Sequence, residues 1–484
     1  MNDWIAEEFS GCELGDRRLV ARLKTLVWRM WQSPMASITA ACRGFAEVMA
    51  ASRFFHNEQV SQELLIAPHR QATLLRMSQH RRVLYIQDTT ELDFTPKKML
   101  QGTGPLSSQE RRGFFAHNEL IVSPERLPLG LWHTWIEARE DHQLGKSQDR
   151  KQKPIEEKES YRWLEGYRRA CELAASTPEQ QVVFCADREA DIYEIFAEYQ
   201  SLRASGQTVA DWLIRSKTDR CLELSEEEEQ TEPQPGRKIR QRLEQNPVLG
   251  TISFEVPRRQ QAKKVKGGSK RKVTRSKRVV TQQIRAAQVT LKAPYRNGSK
   301  LPPVRIWVVE AREVDAPADQ EPINWILLTD LDCSDFDKAR EVLELYLCRW
   351  EIEVFHRVLK TGCRIEELQL RTSEPIKLAI LLYMIVAWRV LYVMHLGREC
   401  PDLPCNVVFE DAEWHSSWVI LKGGSPPESP PTLNEMVRMV ASFGGFLGRK
   451  RDGHPGPQTL WSGLSRVQDF AFCWNQTAHL RSSG

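Results

Sequence analysis

Two short apolar runs, each ending in an acid, constrain the fold of this 484-residue chain more than any other feature. They are Val83-Leu84-Tyr85-Ile86-Gln87-Asp88 and Gln181-Val182-Val183-Phe184-Cys185-Ala186-Asp187, and both read as buried strands. Between them, residues 119–122 and 127–136 look like further strands with a Pro-containing turn, and about 160–175 like a helix. Strand, hairpin, helix and strand make an α/β core. An acid where a buried strand meets its loop stands where open α/β sheets usually place ligand groups.

The usual size of folding units divides a chain of this length into about two to four domains. Hydrophobic content of 41% with 27% charged residues excludes global disorder. Residues 1–78 read as a helical module, with Asp16 capping a helix that runs to about Gln32 and further helices over about 40–56 and 61–80. In the first of these Arg18, Arg22 and Arg29 share one face and Leu19, Leu23 and Leu26 the adjoining one, a pattern that suits a solvated face or a DNA-binding helix. Residues 79–210 form the first part of the core. Residues 211–330 are rich in strand-like segments (212–216, 251–256, 304–310, 325–329) and read as an inserted β domain. Residues 331–372 return to the core, and 373–484 form a helical C-terminal region with a Pro-rich linker at 425–431 and a helix from about Leu433. The most apolar stretch, 378–394, contains Arg389 and falls short of the roughly 20 residues that span a bilayer, so a buried core helix is expected.

The net charge of +4 says little, but its distribution says more: residues 258–278 hold eleven Lys or Arg and no acid, and 226–229 are all Glu. Both runs read as loops. The eleven cysteines show no CxxC pair and no zinc-finger spacing, and the N-terminus shows no signal pattern, so reduced thiols in a cytoplasmic protein are expected. No phosphate-binding Gly-x4-Gly-Lys-Ser/Thr loop and no Ser-centred nucleophile elbow is present, which argues against a nucleotide cofactor or a serine hydrolase.

Carboxylates converging from separate strands suit Mg²⁺, a hard cation that takes oxygen ligands. Asp88 and Asp187 are the first candidates, although Glu91, Asp93, Glu189 and Asp191 lie so near that spacing alone does not choose among them. A third group comes from a helix over about 337–359, where Tyr346, Arg349, Glu353 and Lys360 fall on one face and Leu343, Leu347, Val354 and Val358 supply an apolar side. Glu353 would complete the metal site and Arg349 and Lys360 would hold phosphates; a surface i, i+4 pair of Arg349 with Glu353 accounts for the same spacing. His356, one turn beyond Glu353, suits packing or a DNA-facing role better than ligation.

Tyr346-x2-Arg349-x3-Glu353-x6-Lys360 resembles the signature of the IS-four family of bacterial cut-and-paste DDE transposases. Asp88-Thr89-Thr90 resembles the family's first acid block, Asp187-Arg188-Glu189-Ala190-Asp191 its second, and Arg349-Trp350-Glu351-Ile352-Glu353 with Phe355-His356 and Lys360-Thr361-Gly362 its third, all in order. Leu14-Gly15-Asp16-Arg17-Arg18 and Arg53-Phe54-Phe55 resemble the end-recognition module, and Arg215-Ser216-Lys217 and Trp325 segments of the insertion. Residues 1 to about 370 are covered; the C-terminal part matches poorly.

The resemblance implies an α/β fold with a ribonuclease-H-like mixed-sheet core, interrupted by the β insertion and flanked by helical N- and C-terminal domains. It implies two Mg²⁺ ions, with Mn²⁺ as a substitute, held by Asp88, Asp187 and Glu353, with Asp88 bridging them. It further implies DNA contacts from Arg17, Arg18, Arg22, Arg215, Lys217, Tyr346, Arg349 and Lys360, and a flipped base stacked on Trp325, which would otherwise be a core residue of its strand. Transposon ends would be nicked, closed as hairpins, reopened and joined to target DNA, by a homodimer formed on paired ends. A metal-dependent nuclease without strand transfer and a catalytically silent DNA-binding inhibitor are the competing functions.

Overall fold

The computed structural model describes residues 3–477 except 98, 109, 142–152, 232–233, 257–258, 265–269, 276, 296–300 and 319. Two compact units divide the chain: Met1–Asp149 with Cys348–Gly484, and Arg150–Leu347.

The first unit opens with α1 (Asp3–Glu8), α2 (Arg17–Gln32), α3 (Ile38–Ala41), α4 (Phe45–Phe55) and α5 (Gln62–Met77). Asp16 caps α2 by accepting the Arg18 amide at 2.7 Å, and Leu23, Leu26, Val27, Met30 and Trp31 are its buried apolar residues. The arginine face does not stay open along its length. Arg29 is buried and gives Nε and Nη2 to Glu47 of α4 at 3.0 and 2.8 Å. Helical spacing aligned Arg29 with Arg18 and Arg22 correctly, but α4 packs over the last turn, which periodicity within one helix does not register.

Strands β1 (Arg82–Asp93), β2 (Gly104–Pro105), β3 (Arg112–Val122) and β4 (Pro128–Glu137) follow. Strand β3 pairs antiparallel with β1, β4 and the short β2. Strand β1 continues five residues past Asp88, because Thr89, Thr90 and Leu92 suit a strand and the ladder to β3 runs on to Asp93. Asp88 therefore sits within the ladder, opposite Asn118, and not where a strand meets its loop. Strand β3 also begins seven residues before the expected Glu119, since His117 and Asn118 interrupt the apolar pattern yet are fully buried.

The 27-residue helix α12 (Ser373–Glu399) is apolar and long enough to cross a membrane by composition, yet 94% of its most apolar window is buried inside the protein. A helix apolar on all sides is a core helix when other elements surround it, and α12 packs on β4, α5, α2 and α4. Helix α13 (Asp411–Lys422), which the sequence did not signal, α14 (Leu433–Phe443) and α15 (Pro457–Gln476) complete this region.

In the second unit α6 (Tyr161–Ser176) precedes β5 (Gln181–Ala186), and α7 (Tyr193–Ala204) carries the chain over to β6 (Asp211–Arg215), which is parallel to β5. Such a connection is the usual way to join parallel neighbours. After α8 (Glu226–Glu229) and α9 (Ile239–Gln245) come β7 (Gly250–Val256), β8 (Arg259–Lys264), β9 (Lys270–Arg275), β10 (Arg278–Leu291), β11 (Val304–Val314) and β12 (Asn324–Thr329). The sheet order is β5-β6-β12-β11-β10-β7, antiparallel beyond β6. The basic run is not all loop: β8 and β9 pair antiparallel, from Arg259 opposite Arg275 to Lys264 opposite Lys270. Arg258, 265–269 and 276 of that run lie outside the described residues.

The helix expected over about 337–359 is two helices, α10 (Phe336–Leu347) in the second unit and α11 (Trp350–Arg357) in the first, followed by a π turn at Val358–Gly362. At the break Glu351 and Ile352 donate their amides three residues back, to Cys348 and Arg349. The apolar side holds only in part: Leu343 and Val358 are buried as expected, but Leu347 is exposed and Val354 half-buried, while Val342, Leu345, Ile352 and Phe355 are buried as well. Tyr346, Arg349, Glu353 and Lys360 thus do not share one continuous helical face.

Candidate active site

In the first unit β1 presents Asp88 and α11 presents Glu353, and one guanidinium joins them. Arg349 places Nη1 3.3 Å from Asp88 Oδ2 and Nη2 2.5 Å from Glu353 Oε1. Arg349 is buried, whereas the two carboxylates keep 20% and 34% of their side-chain surface, so both remain reachable from solvent. Two carboxylates on one buried cation is more than the surface i, i+4 pair that also fits the spacing.

The neighbouring acids that spacing left open are engaged elsewhere. Glu91 accepts from Ser107 and from Arg111 at 2.6 Å, and Asp93 from Thr95 and from Arg111 at 2.9 Å. Burial alone would raise both carboxyls, but these hydrogen bonds hold them below the usual range. Sequence inspection missed Arg111, because its role depends on a ladder that brings residue 111 back beside residues 91 and 93.

In the second unit Asp187 follows β5 directly, as expected, and caps the short 3-10 turn Arg188–Ala190 by accepting the Glu189 amide at 2.7 Å. Asp191 is buried and shapes the loop: Arg220 binds it at 2.8 and 2.5 Å and the Lys217 amide at 2.7 Å. Glu189 is exposed and lies 3.8 Å from Arg162. The half-buried Trp325, second residue of β12, meets buried Tyr346 edge to face at 5.7 Å, so two of the expected DNA-contacting residues do come together. Arg215 ends β6 half-buried, and the Lys217 side chain is exposed.

Elsewhere in the first unit, Arg17 and Arg18 are exposed on the first turn of α2 and Arg22 is half-buried. Lys360 lies half-buried on the π turn, where burial lowers its affinity for a proton against the pull of Glu366 and Glu91. His356 is a packed residue: burial, with Lys360 and Arg349 nearby, pushes its pKa down to about 3, and Nε2 accepts from the Asn118 amide at 3.0 Å. Asn118 is a further residue that the sequence did not flag.

Among the described residues no three His, Cys, Asp or Glu side chains are grouped closely enough to hold a metal ion. What the first unit offers is a pair of carboxylates converging on one cation, a donor set that fits a hard divalent ion in kind.

Three family models match the chain in order: a transposase DNA-binding model over residues 1–60, a transposase DDE domain over 204–389 and a transposase Tn5 dimerisation domain over 385–482. The DDE match takes in Trp325, Arg349 and Glu353 and begins after Asp88 and Asp187. A cryo-EM structure of the piggyBac transposase synaptic complex with hairpin DNA aligns over 82% of this chain and 72% of that chain, at 9% identity and a TM-score of 0.32, too remote to argue from. With these three matches in order along it, the chain belongs to the Tn5-like DDE transposases, enzymes that cut and join DNA.

Proposed function

We propose that this transposase excises an insertion sequence through nicked and hairpin-ended intermediates and joins the freed 3′ ends to target DNA, with Asp88, Asp187 and Glu353 as the acids of its active site. The observation that carries this reading is the convergence of Asp88 and Glu353 on Arg349. The same acids would hold two Mg²⁺ ions, which supply charge neutralisation for the attacking and leaving oxygens of phosphoryl transfer.

The chain's own residues do the rest by positioning. Arg349 is poised to exchange a carboxylate for a phosphate oxygen, because a planar guanidinium binds either in the same way. Lys360 adds a second cation on the π turn. Trp325 offers an aromatic face, supported by Tyr346, on which a base extruded at the hairpin bend would stack. Arg17, Arg18 and Arg22 would meet the transposon end, and Arg215 and Lys217 with the basic hairpin would follow the duplex backbone, a contact that gives salt dependence without sequence choice. Two protomers would pair two ends through the C-terminal region.

The test is cleavage of a duplex carrying the terminal repeats that flank this reading frame, with Mg²⁺ or EDTA, for wild type and Asp88→Ala. Metal-dependent hairpin ends from wild type alone are expected. Open double-strand breaks that never join target DNA would make the protein a nuclease, and specific binding without cleavage would make it a silent DNA-binding protein.

A further inference from the structure

Beneath Asp88 and Glu353 lies a chain of polar side chains more deeply buried than either. Asn118 of β3 is the register partner of Asp88 and is fully buried. Cross-strand partners point to the same face of an antiparallel sheet, so Asn118 lies on the Asp88 face, where α11 packs on both strands. Its Nδ2 donates to His356 Nε2 at 3.0 Å, and its Oδ1 accepts the Thr134 hydroxyl of β4 at 2.7 Å. His356 and Thr134 are each 7% exposed, and His356 stands one helical turn after Glu353.

Burying an amide, an imidazole and a hydroxyl costs free energy that their mutual bonds only partly return, and apolar side chains of similar shape would fill the space at no such cost. What hydrogen bonds add is direction. Thr134 fixes which end of the Asn118 amide faces α11, and the amide in turn requires an unprotonated Nε2 on His356, which sets the rotation of α11 about its axis. One residue of helix rotation is 100°, so a small slip would carry Glu353 away from Asp88.

We propose that Asn118 and His356 are positioning residues for Glu353, a clamp that holds α11 on β3 so that Glu353 and Asp88 converge. The inference rests on the reading of those two acids as catalytic. Both are buried and would act through Glu353 rather than on DNA or a reacting atom.

The test compares full-length wild type, His356→Phe, His356→Gln, Asn118→Leu, Thr134→Val and Glu353→Ala for end binding, thermal midpoint, single-turnover cleavage rate and the Mg²⁺ concentration giving half-maximal rate. His356→Phe and Asn118→Leu should lower the rate about 10- to 100-fold and raise the half-maximal Mg²⁺, as loss of outer-shell support does at ligating carboxylates, with end binding unchanged. His356→Gln, which keeps an acceptor, should recover most of the rate, and Thr134→Val, which only frees the amide to turn, should lose a few-fold. An inactive Glu353→Ala beside a His356→Phe within twofold of wild type would overturn the clamp alone, whereas a Glu353→Ala that cuts normally would overturn the reading beneath it. Parallel loss of end binding, midpoint and rate in both His356→Phe and Thr134→Val would reduce the chain to a fold element and also sink the proposal.

Discussion

The candidate catalytic acids of the two units are held by different means. In the first, arginines match carboxylates: Arg349 joins Asp88 and Glu353, Arg111 joins Glu91 and Asp93, and Arg29 holds Glu47. In the second, Arg220 likewise holds Asp191, but Asp187 accepts only a backbone amide at the end of a strand, and Asp330 is buried so thoroughly, beside Asp211, that its carboxyl titrates well above the ordinary range. An acid already matched to a cation is pre-oriented and screened from its neighbour's charge, but it must change partners to take up a metal. An acid that caps a turn has its geometry set locally and a carboxylate oxygen left over.

That contrast can be broken most decisively by activity. Alanine at Asp88, Asp187 or Glu353 should each reduce single-turnover cleavage on the order of 10³-fold or more while mobility shifts with end DNA stay unchanged, since groups that act as one unit fail together. Normal cutting by Asp187→Ala would leave the second unit without its acid. Next in size, Trp325→Ala should slow hairpin formation about 5- to 160-fold, the equivalent of about 1–3 kcal/mol of base stacking, with first-strand nicking preserved; equal slowing of both steps would make Trp325 a packing residue.

A smaller effect concerns stability in the first unit, where arginine matching has an exception. Burial pushes Glu413 up to about 7, against the Glu410 amide and the Gln468 side chain that favour its ionised form. Its folded-state pKa lies above the unfolded value, so the folded protein binds the extra proton and stability falls as pH rises from about 4.5 through 7. Glu413→Gln should therefore stabilise at pH 8 by up to about 3 kcal/mol and by much less at pH 5, read from urea midpoints; equal gains at both pH values would show that ionisation is irrelevant there. The smallest effect separates cap from catalysis at Asp187. Asp187→Asn keeps a capping oxygen and Asp187→Ala does not, so only the alanine variant should lose about 1 kcal/mol, although both should fail to cut.

Much of this was legible in the residues. Asp16 as a cap, the buried strand before Asp187, the strands at 212–216 and 325–329 and the core helix around 378–394 all follow from local propensity and apolar patterning, which act over a few residues. The first seven residues of β3 and the true length of β1 were not legible, because polar residues buried by a neighbouring strand look like loop residues when read alone. The break at Cys348 was equally hidden, since apolar spacing on either side of it continues as though one helix ran through.

The sequence by itself determined the family, the order of its domains and the candidate acids, because a motif is a matter of residue type and spacing along one chain. Only the tertiary structure decided that Arg29 is used up by Glu47, that Arg111 binds both Glu91 and Asp93 and that Asn118 reaches His356 across 238 residues of chain. Those outcomes depend on which side chains packing brings within hydrogen-bond range, and a buried polar group must find its partner there, however distant in sequence, because water is not available to replace it.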